Sequence, residues 1–194
     1  MTEGLKEALK TGIRNAVALV SASGGYLGNA RIAIPLPREL EGAAELMRTL
    51  GLGHLVDDFI TTMNRAAERA APEATVIFID AIIDMTLEDA MGVLNGPHDA
   101  ATAYFKRRTR DALFKAFLPI VSRALDETGV TASYKNIIKI YNGIPGVPRI
   151  DFDIDAYVTD RALDGLFVAL ADEEKKIRTN PAARVTELLK RAFG

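Results

Sequence analysis

From Leu5 onward the apolar side chains of this sequence recur at steps of three and four, and Gly or Pro separates one run from the next. That spacing puts each run on one face of an α-helix, and such faces are buried helix against helix. Leu5, Leu9, Ile13, Ala16, Val17 and Val20 form the first stripe, and Leu55, Val56, Phe59, Met63, Ala67 and Ala70 form another. Convincing period-two alternation is missing throughout. The pattern predicts an all-α fold: one compact domain over residues 1–194, a helical bundle of about nine helices.

Local signals place the boundaries. Residues 21–37 hold Gly24, Gly25, Gly28, Pro35 and Pro37 and read as a long irregular loop. Pro37 suits the first turn of a helix to about Leu50, which Gly51 stops. Pro72 ends a helix over His54–Ala71 and opens an apolar one over Glu73–Met85. Its Val76-Ile77-Phe78-Ile79 run has the composition of a buried strand, but its context is helical. With the stretch Tyr157–Ala171 it predicts a centre of two apolar helices. Thr86 with Asp89 resembles an N-capping pattern for a helix ending near Asn95-Gly96. Pro97 opens a long helix to about Thr128, and Pro119 inside it should kink it. A short helix spans Thr131–Tyr141, and a loop with two glycines and two prolines covers 142–152. Asp153 caps a helix from Ile154 to about Arg178, and Asn180-Pro181 starts a last one to Phe193.

Composition narrows the chemistry. The chain carries 24 Lys and Arg against 26 Asp and Glu, a net charge of −2. Nucleic-acid binders draw most of their affinity from phosphate neutralisation and are normally basic, so that class is disfavoured. There is no cysteine, which excludes disulfides, thiolate metal sites and cysteine nucleophiles. No apolar stretch is long enough to span a membrane. Met1 to Lys10 carries Glu3 and Glu7 and does not read as a signal peptide. The phosphate-cradling GxxxxGK[ST] loop, GxGxxG, HExxH, Glu-x-x-His and GxSxG are all missing. No catalytic residue, cofactor or metal is implied.

Several polar groups stand out against the helical pattern. Asp80 and Asp84 lie one turn apart on the apolar Val76–Met85 helix; they are paired carboxylates for a metal or proton, a solvent strip, or partners of an arginine. Arg108 projects onto the stripe Ala101, Phe105, Ala112, Ala116, and a buried arginine needs a carboxylate. The expectation is therefore that Arg108 pairs with Asp80 or Asp84. Lys106, Arg107, Arg108 and Arg110 beside Tyr104 and Phe105 form a basic run, either an anion clamp or a solvated face. Asp151, Asp153 and Asp155 alternate like the start of a calcium loop, but Ala156 and Ala162 replace its glycine and glutamate, leaving an acidic helix start. The loop Ser23–Asn29 either covers a ligand or packs as a connector. Arg65 and Glu68 have ion-pair spacing. His54 and His98 sit at helix starts.

A family resemblance gathers many of these residues. Gly51-Leu52-Gly53 through Val56-Asp57-Asp58-Phe59, Met63-Asn64-Arg65-Ala66-Ala67-Glu68, Met85-Thr86 with Asp89-Ala90, Ala100-Ala101-Thr102 with Tyr104-Phe105, Tyr157-Val158-Thr159 with Ala162–Phe167, and Glu173–Arg178 with Pro181 and Phe193-Gly194 resemble an uncharacterised bacterial family, domain of unknown function 4197. The resemblance covers nearly the whole chain and implies no activity. It implies a periplasmic or envelope location, with an export signal preceding the mature domain; a cytoplasmic location is the alternative.

The leading expectation is a non-enzymatic binding or interaction protein of the bacterial envelope. Its occupant would be a small apolar or amphipathic ligand, or a protein partner, in a groove lined from Val76–Met85 and Tyr157–Ala171. The candidate ligand or buried-network residues are Asn64, Arg65, Asp80, Asp84, Thr102, Tyr104 and Arg108. One alternative is a metal-assisted hydrolase, which needs three of Asp57, Asp80, Asp84, Asp151 and Asp155 to converge. Another is anion or nucleic-acid binding through Lys106–Arg110.

Overall fold

The structure is a computed structural model that describes residues 2–179 apart from Thr128, Ile144, Val147 and Pro148. Eight α-helices form among the described residues: α1 (Thr2–Ser21), α2 (Glu41–Thr49), α3 (Gly53–Ala70), α4 (Ala74–Ile83), α5 (Leu87–Asn95), α6 (Ala100–Glu127), α7 (Val130–Asn142) and α8 (Ile154–Thr179). Short 3-10 turns at Arg38–Leu40 and Ala71–Glu73 lead into α2 and α4. The described residues hold no strand. The fold class is all-α, as the spacing predicted. The helix expected to end at Phe193 lies outside the described residues.

Punctuation works as physical chemistry requires. Gly51 takes φ +78° after α2, the left-handed conformation that glycine adopts at no steric cost. Its N–H donates to the Arg48 carbonyl at 3.0 Å and that of Leu52 to the Met47 carbonyl at 2.8 Å. These are the paired bonds of a Schellman motif, and they turn the chain into α3 within three residues. Thr86 caps α5: its hydroxyl accepts from the Asp89 N–H, and the Asp89 carboxylate accepts from the Thr86 N–H. At α8 the Asp153 carboxylate accepts from the Ala156 N–H at 3.0 Å. Pro119 lies inside α6, which runs through it as one helix.

α6 packs on α8 and α3, and α1 packs on α8. One cluster of buried apolar side chains draws on every α-helix except α2. Phe78 sits at its centre, edge-on to Phe105 and Phe167 at 5.3 and 6.0 Å between ring centroids. The expectation of two wholly apolar central helices needs correction at α4. Only Ala74, Phe78 and Ile82 of that helix are buried, whereas Val76 and Ile83 are each 64% exposed. An apolar run at helical pitch covers all sides of a cylinder, and here one side has no protein against it.

The loop over residues 22–37 is a packed connector. Tyr26 is fully buried, donates its hydroxyl to the Ala162 carbonyl at 2.7 Å, and lies against Gly165 of α8. A Cβ at Gly165 would sit 2.7 Å from the Tyr26 ring, so the absent side chain is what admits it. The buried Asn64 amide closes the other end: it accepts from the Ile34 N–H at 2.8 Å and donates to the Ile34 carbonyl at 2.9 Å. Those two bonds replace the strand partner that an extended backbone otherwise lacks.

Candidate functional site

Where the glycine-rich loop leaves α1, a cleft of about 620 Å³ opens between Ser21 and Ser23, the Thr62–Arg69 face of α3, and Ala124 and Glu127 of α6. Thr62, Arg65 and Arg69 fall at i, i+3 and i+7, so one stripe of α3 presents all three. Arg65 donates to the Ser23 hydroxyl and to the Glu68 carboxylate, both at 2.7 Å. Glu68 is buried and also accepts a long bond, 3.4 Å, from the Tyr26 N–H. Arg69 spans the mouth to Glu127 at 2.8 Å, with both side chains more than half exposed. The floor is thus a fixed ion pair and the rim a loose one. Burial, and then the nearby Glu68 charge, pushes the Tyr26 phenol well above its usual range.

A second cleft, about 670 Å³, lies between Pro35–Glu41 and the start of α8. The Tyr157 ring is held between Phe152, 5.4 Å away, and the Arg161 guanidinium, also at 5.4 Å, while its hydroxyl donates to the Pro35 carbonyl. Arg38, Arg161, Glu39 and Glu41 all line it, so opposite charges balance.

The sequence candidates separate into framework and surface. Asn64 is the loop anchor described above. Thr102 and Glu174 form an N-terminal cap on α6. Glu174 accepts from the Ala101 and Thr102 N–H groups at 2.9 and 2.8 Å and from the Thr102 hydroxyl at 2.8 Å. Arg178 pairs with the same carboxylate at 2.9 Å and donates to the Val93 carbonyl at 2.7 Å. Tyr104 is buried edge-on to Phe105 and donates to the Ala81 carbonyl at 3.1 Å. Asp80 and Asp84 are exposed on the outer side of α4.

Arg108 overturns the expectation of a buried arginine paired with Asp80 or Asp84. Its side chain is exposed, beside the Tyr104 hydroxyl and the Asp89 carboxylate. The buried stripe of α6 runs through Ala101, Phe105, Thr109, Leu113, Phe117, Val121 and Leu125, in strict steps of four. Ala112 is exposed and Ala116 only half-buried, so neither marked the core face. Thr109 held the place instead, its hydroxyl bonded to the Phe105 carbonyl at 2.7 Å.

In the basic run Lys106, Arg107 and Arg108 are exposed, while Arg110 is held between Asp164 at 2.9 Å and Asp160 at 3.0 Å. The acids that a metal-assisted hydrolase would need do not converge: no group of three potential metal-ligating His, Asp or Glu side chains comes together among the described residues. Asp57 pairs with Arg48, and Asp155 accepts from Ser122. Arg69, Thr62 and Glu127 were not singled out from the sequence as site residues, whereas Ser23 opens the loop read there as a ligand cover or a packed connector. The polar side of α3 marked the first two, and nothing local marked Glu127.

Fold and cleft together define an all-α protein with a charge-balanced cleft built at the foot of a pinned loop. The chain belongs to the family described as protein of unknown function (DUF4197), whose model matches residues 1–194. No curated protein and no solved structure matches it.

Proposed function

We propose that the chain is one domain with a non-enzymatic binding role, and that the cleft between the glycine-rich loop, α3 and α6 receives a small anionic ligand, a carboxylate or a phosphate. The observation that carries this is the pairing on α3. Arg65 is fixed by buried Glu68 and Ser23, and Arg69, one turn on, is held only by an exposed bridge to Glu127. A surface pair of that kind contributes about 0–1 kcal/mol. A ligand carboxylate or phosphate that forks onto the Arg69 guanidinium makes charge-assisted bonds of greater strength and displaces Glu127 at small cost. Arg65 and the Ser23 and Thr62 hydroxyls add further donors. The cleft's size falls in the range of small-molecule sites, roughly 300–1,000 Å³. This cleft differs from the expected apolar groove lined from Val76–Met85 and Tyr157–Ala171: its lining carries two Arg–Glu pairs and three hydroxyls and comes from other elements.

The test is NMR titration of the arginine side-chain Nε–H resonances with inorganic phosphate, succinate and citrate. A saturable shift of Arg69 and Arg65, lost for Arg69 in Arg69→Met and for both in Arg65→Met/Arg69→Met, supports the site. Unchanged resonances with all three probes, or the same affinity in the double variant, refute it. Export to the bacterial envelope is part of the proposal and rests on the family resemblance. Fractionation of the native host should recover the chain with periplasm or membranes, and recovery in the cytosol refutes that part. The exposed Lys106, Arg107 and Arg108 carry the second reading, anion or nucleic-acid binding on the outer face of α6. It predicts salt-sensitive retention on heparin, lost in Lys106→Ala/Arg107→Ala/Arg108→Ala.

A further inference from the structure

The cleft at the foot of the glycine-rich loop holds as much negative charge as positive. Arg65 and Arg69 stand there with Glu68 and Glu127. Two helices also end at it. Ser21 is the last residue of α1 and Glu127 the last of α6, and neither helix has a basic residue in its own last turn. The open carbonyls of a helix C-terminus carry partial negative charge and favour a cation. A plain carboxylate that takes Arg69 therefore leaves Glu127 without its partner. It also adds a like charge beside Glu68, Glu127 and the end of α6, and like charges brought together cost affinity.

A second group on the ligand removes that cost. An ammonium has three donors and no acceptor, and the Glu127 carboxylate released by Arg69 is an acceptor for it. Both halves of the 2.8 Å bridge between Arg69 and Glu127 then exchange one opposite charge for another. The ligand is neutral, as the cleft is, and each of its charges meets its complement. We infer that the ligand whose carboxylate takes Arg69 also carries an ammonium that takes Glu127, so that the cleft receives a small amino acid. The Ala66 and Ala124 side chains line the same cleft and give its carbon stem an apolar surface. The inference rests on the carboxylate reading of Arg69 and goes beyond it by requiring a cationic group on the same molecule.

Matched probes separate the two claims. Alanine and 4-aminobutyrate hold their charges at different spacings, and propionate and butyrate are the same acids without the ammonium. Each is titrated against the Arg69 Nε–H resonance at neutral pH and low salt. At least one amino acid should bind about 10-fold or more tighter than its matched acid, the contribution of one charge-assisted hydrogen bond. Glu127→Gln keeps the side chain's shape, and at 52% exposure its loss of charge should leave the fold intact. In that variant the amino acid should lose its advantage, while propionate and butyrate bind as well or better because Arg69 no longer has a competing partner. A loss of that advantage alone marks Glu127 as the ammonium acceptor; equal weakening of all four probes is what a structural role predicts and overturns the inference. Amino acids that bind no tighter than their matched acids, with Arg69 shifting for both, overturn it and leave the anion site standing. An Arg69 resonance unmoved by all four probes overturns both.

Discussion

Removing the Glu174 carboxylate should cost more stability than any other single loss of a polar group in this fold. Glu174 is buried, and its two oxygens serve four donors: the N–H groups of Ala101 and Thr102, the Thr102 hydroxyl and the Arg178 guanidinium. Glu174→Ala leaves two first-turn amides of α6 without their acceptor, and losing a helix cap alone costs about 0.5–2 kcal/mol. It also strips the carboxylate from Arg178, whose side chain is only 14% exposed. Breaking a buried pair by removing one partner costs about 3–5 kcal/mol. These contributions overlap, so the expected total is about 4 kcal/mol, a large part of the roughly 5–15 kcal/mol that holds a domain together. For a chain of this length that lowers Tm by about 8–16 °C. Glu174→Gln keeps the shape and one acceptor oxygen but loses the charge, and should cost about half as much. The assay is urea unfolding followed by circular dichroism at the helix band, which suits a chain without tryptophan. A cost below about 1 kcal/mol for Glu174→Ala with an unchanged m-value would refute the capping argument. Equal costs for Ala and Gln would refute the role given to charge.

Three further outcomes follow from the same structure. Asn64→Leu should remove about 2–4 kcal/mol, because it leaves the Ile34 N–H and carbonyl without partners; hydrogen exchange at Ile34 should quicken far more than at Ala67, and equal change at both would contradict the anchor. Gly165→Ala should destabilise by about 1–3 kcal/mol, since its Cβ meets Tyr26 at 2.7 Å and Ile32 at 3.1 Å; Tyr26→Leu in the same chain should recover part of that loss, and additive costs would speak against the contact. Burial raises the Tyr26 phenol above its ordinary value and pushes Tyr134 up to about 12. An unfolded phenol ionises near 10, so the stability linked to these groups is full below pH ~10 and is lost above it, by about 1.4 kcal/mol per pH unit and group. Ultraviolet titration should find both phenols ionising only at the alkaline end or with unfolding, and five normal tyrosine titrations would contradict this.

The helices were legible because their signals are local. Gly51 needs only its own φ, Thr86 only the residue three along, and the stripes of α1 and α3 only their own spacing. Phase within a helix proved less secure. On α6 the residues that look apolar, Ala112 and Ala116, are too small to demand burial, and Thr109 is buried because its hydroxyl bonds back to Phe105. A reading that counts alanine as core and threonine as surface rotates the helix by one residue, and that rotation carried Arg108 inward. Asp80 and Asp84 take the solvent-strip alternative on the outer side of α4.

The candidate site was less legible, and burial of acids shows why. Glu68, Glu173 and Glu174 are the buried carboxylates among the described residues. Each accepts from a group distant in sequence: Tyr26 for Glu68, Asn15 for Glu173, Ala101 and Thr102 for Glu174. No local spacing encodes such bonds, so an acid near a helix end reads the same whether it meets water or caps another helix. Because these three are committed to main-chain N–H groups, arginines, an amide or a lysine, they hold the framework in place. Exposed bridges such as Arg69–Glu127 stay exchangeable. Arg69 lies on α3, whose apolar stripe reads cleanly in the sequence. Of the polar groups that draw the eye in the sequence, Asn64, Thr102 and Tyr104 hold the fold, whereas Asp80, Asp84 and Arg108 lie on its surface.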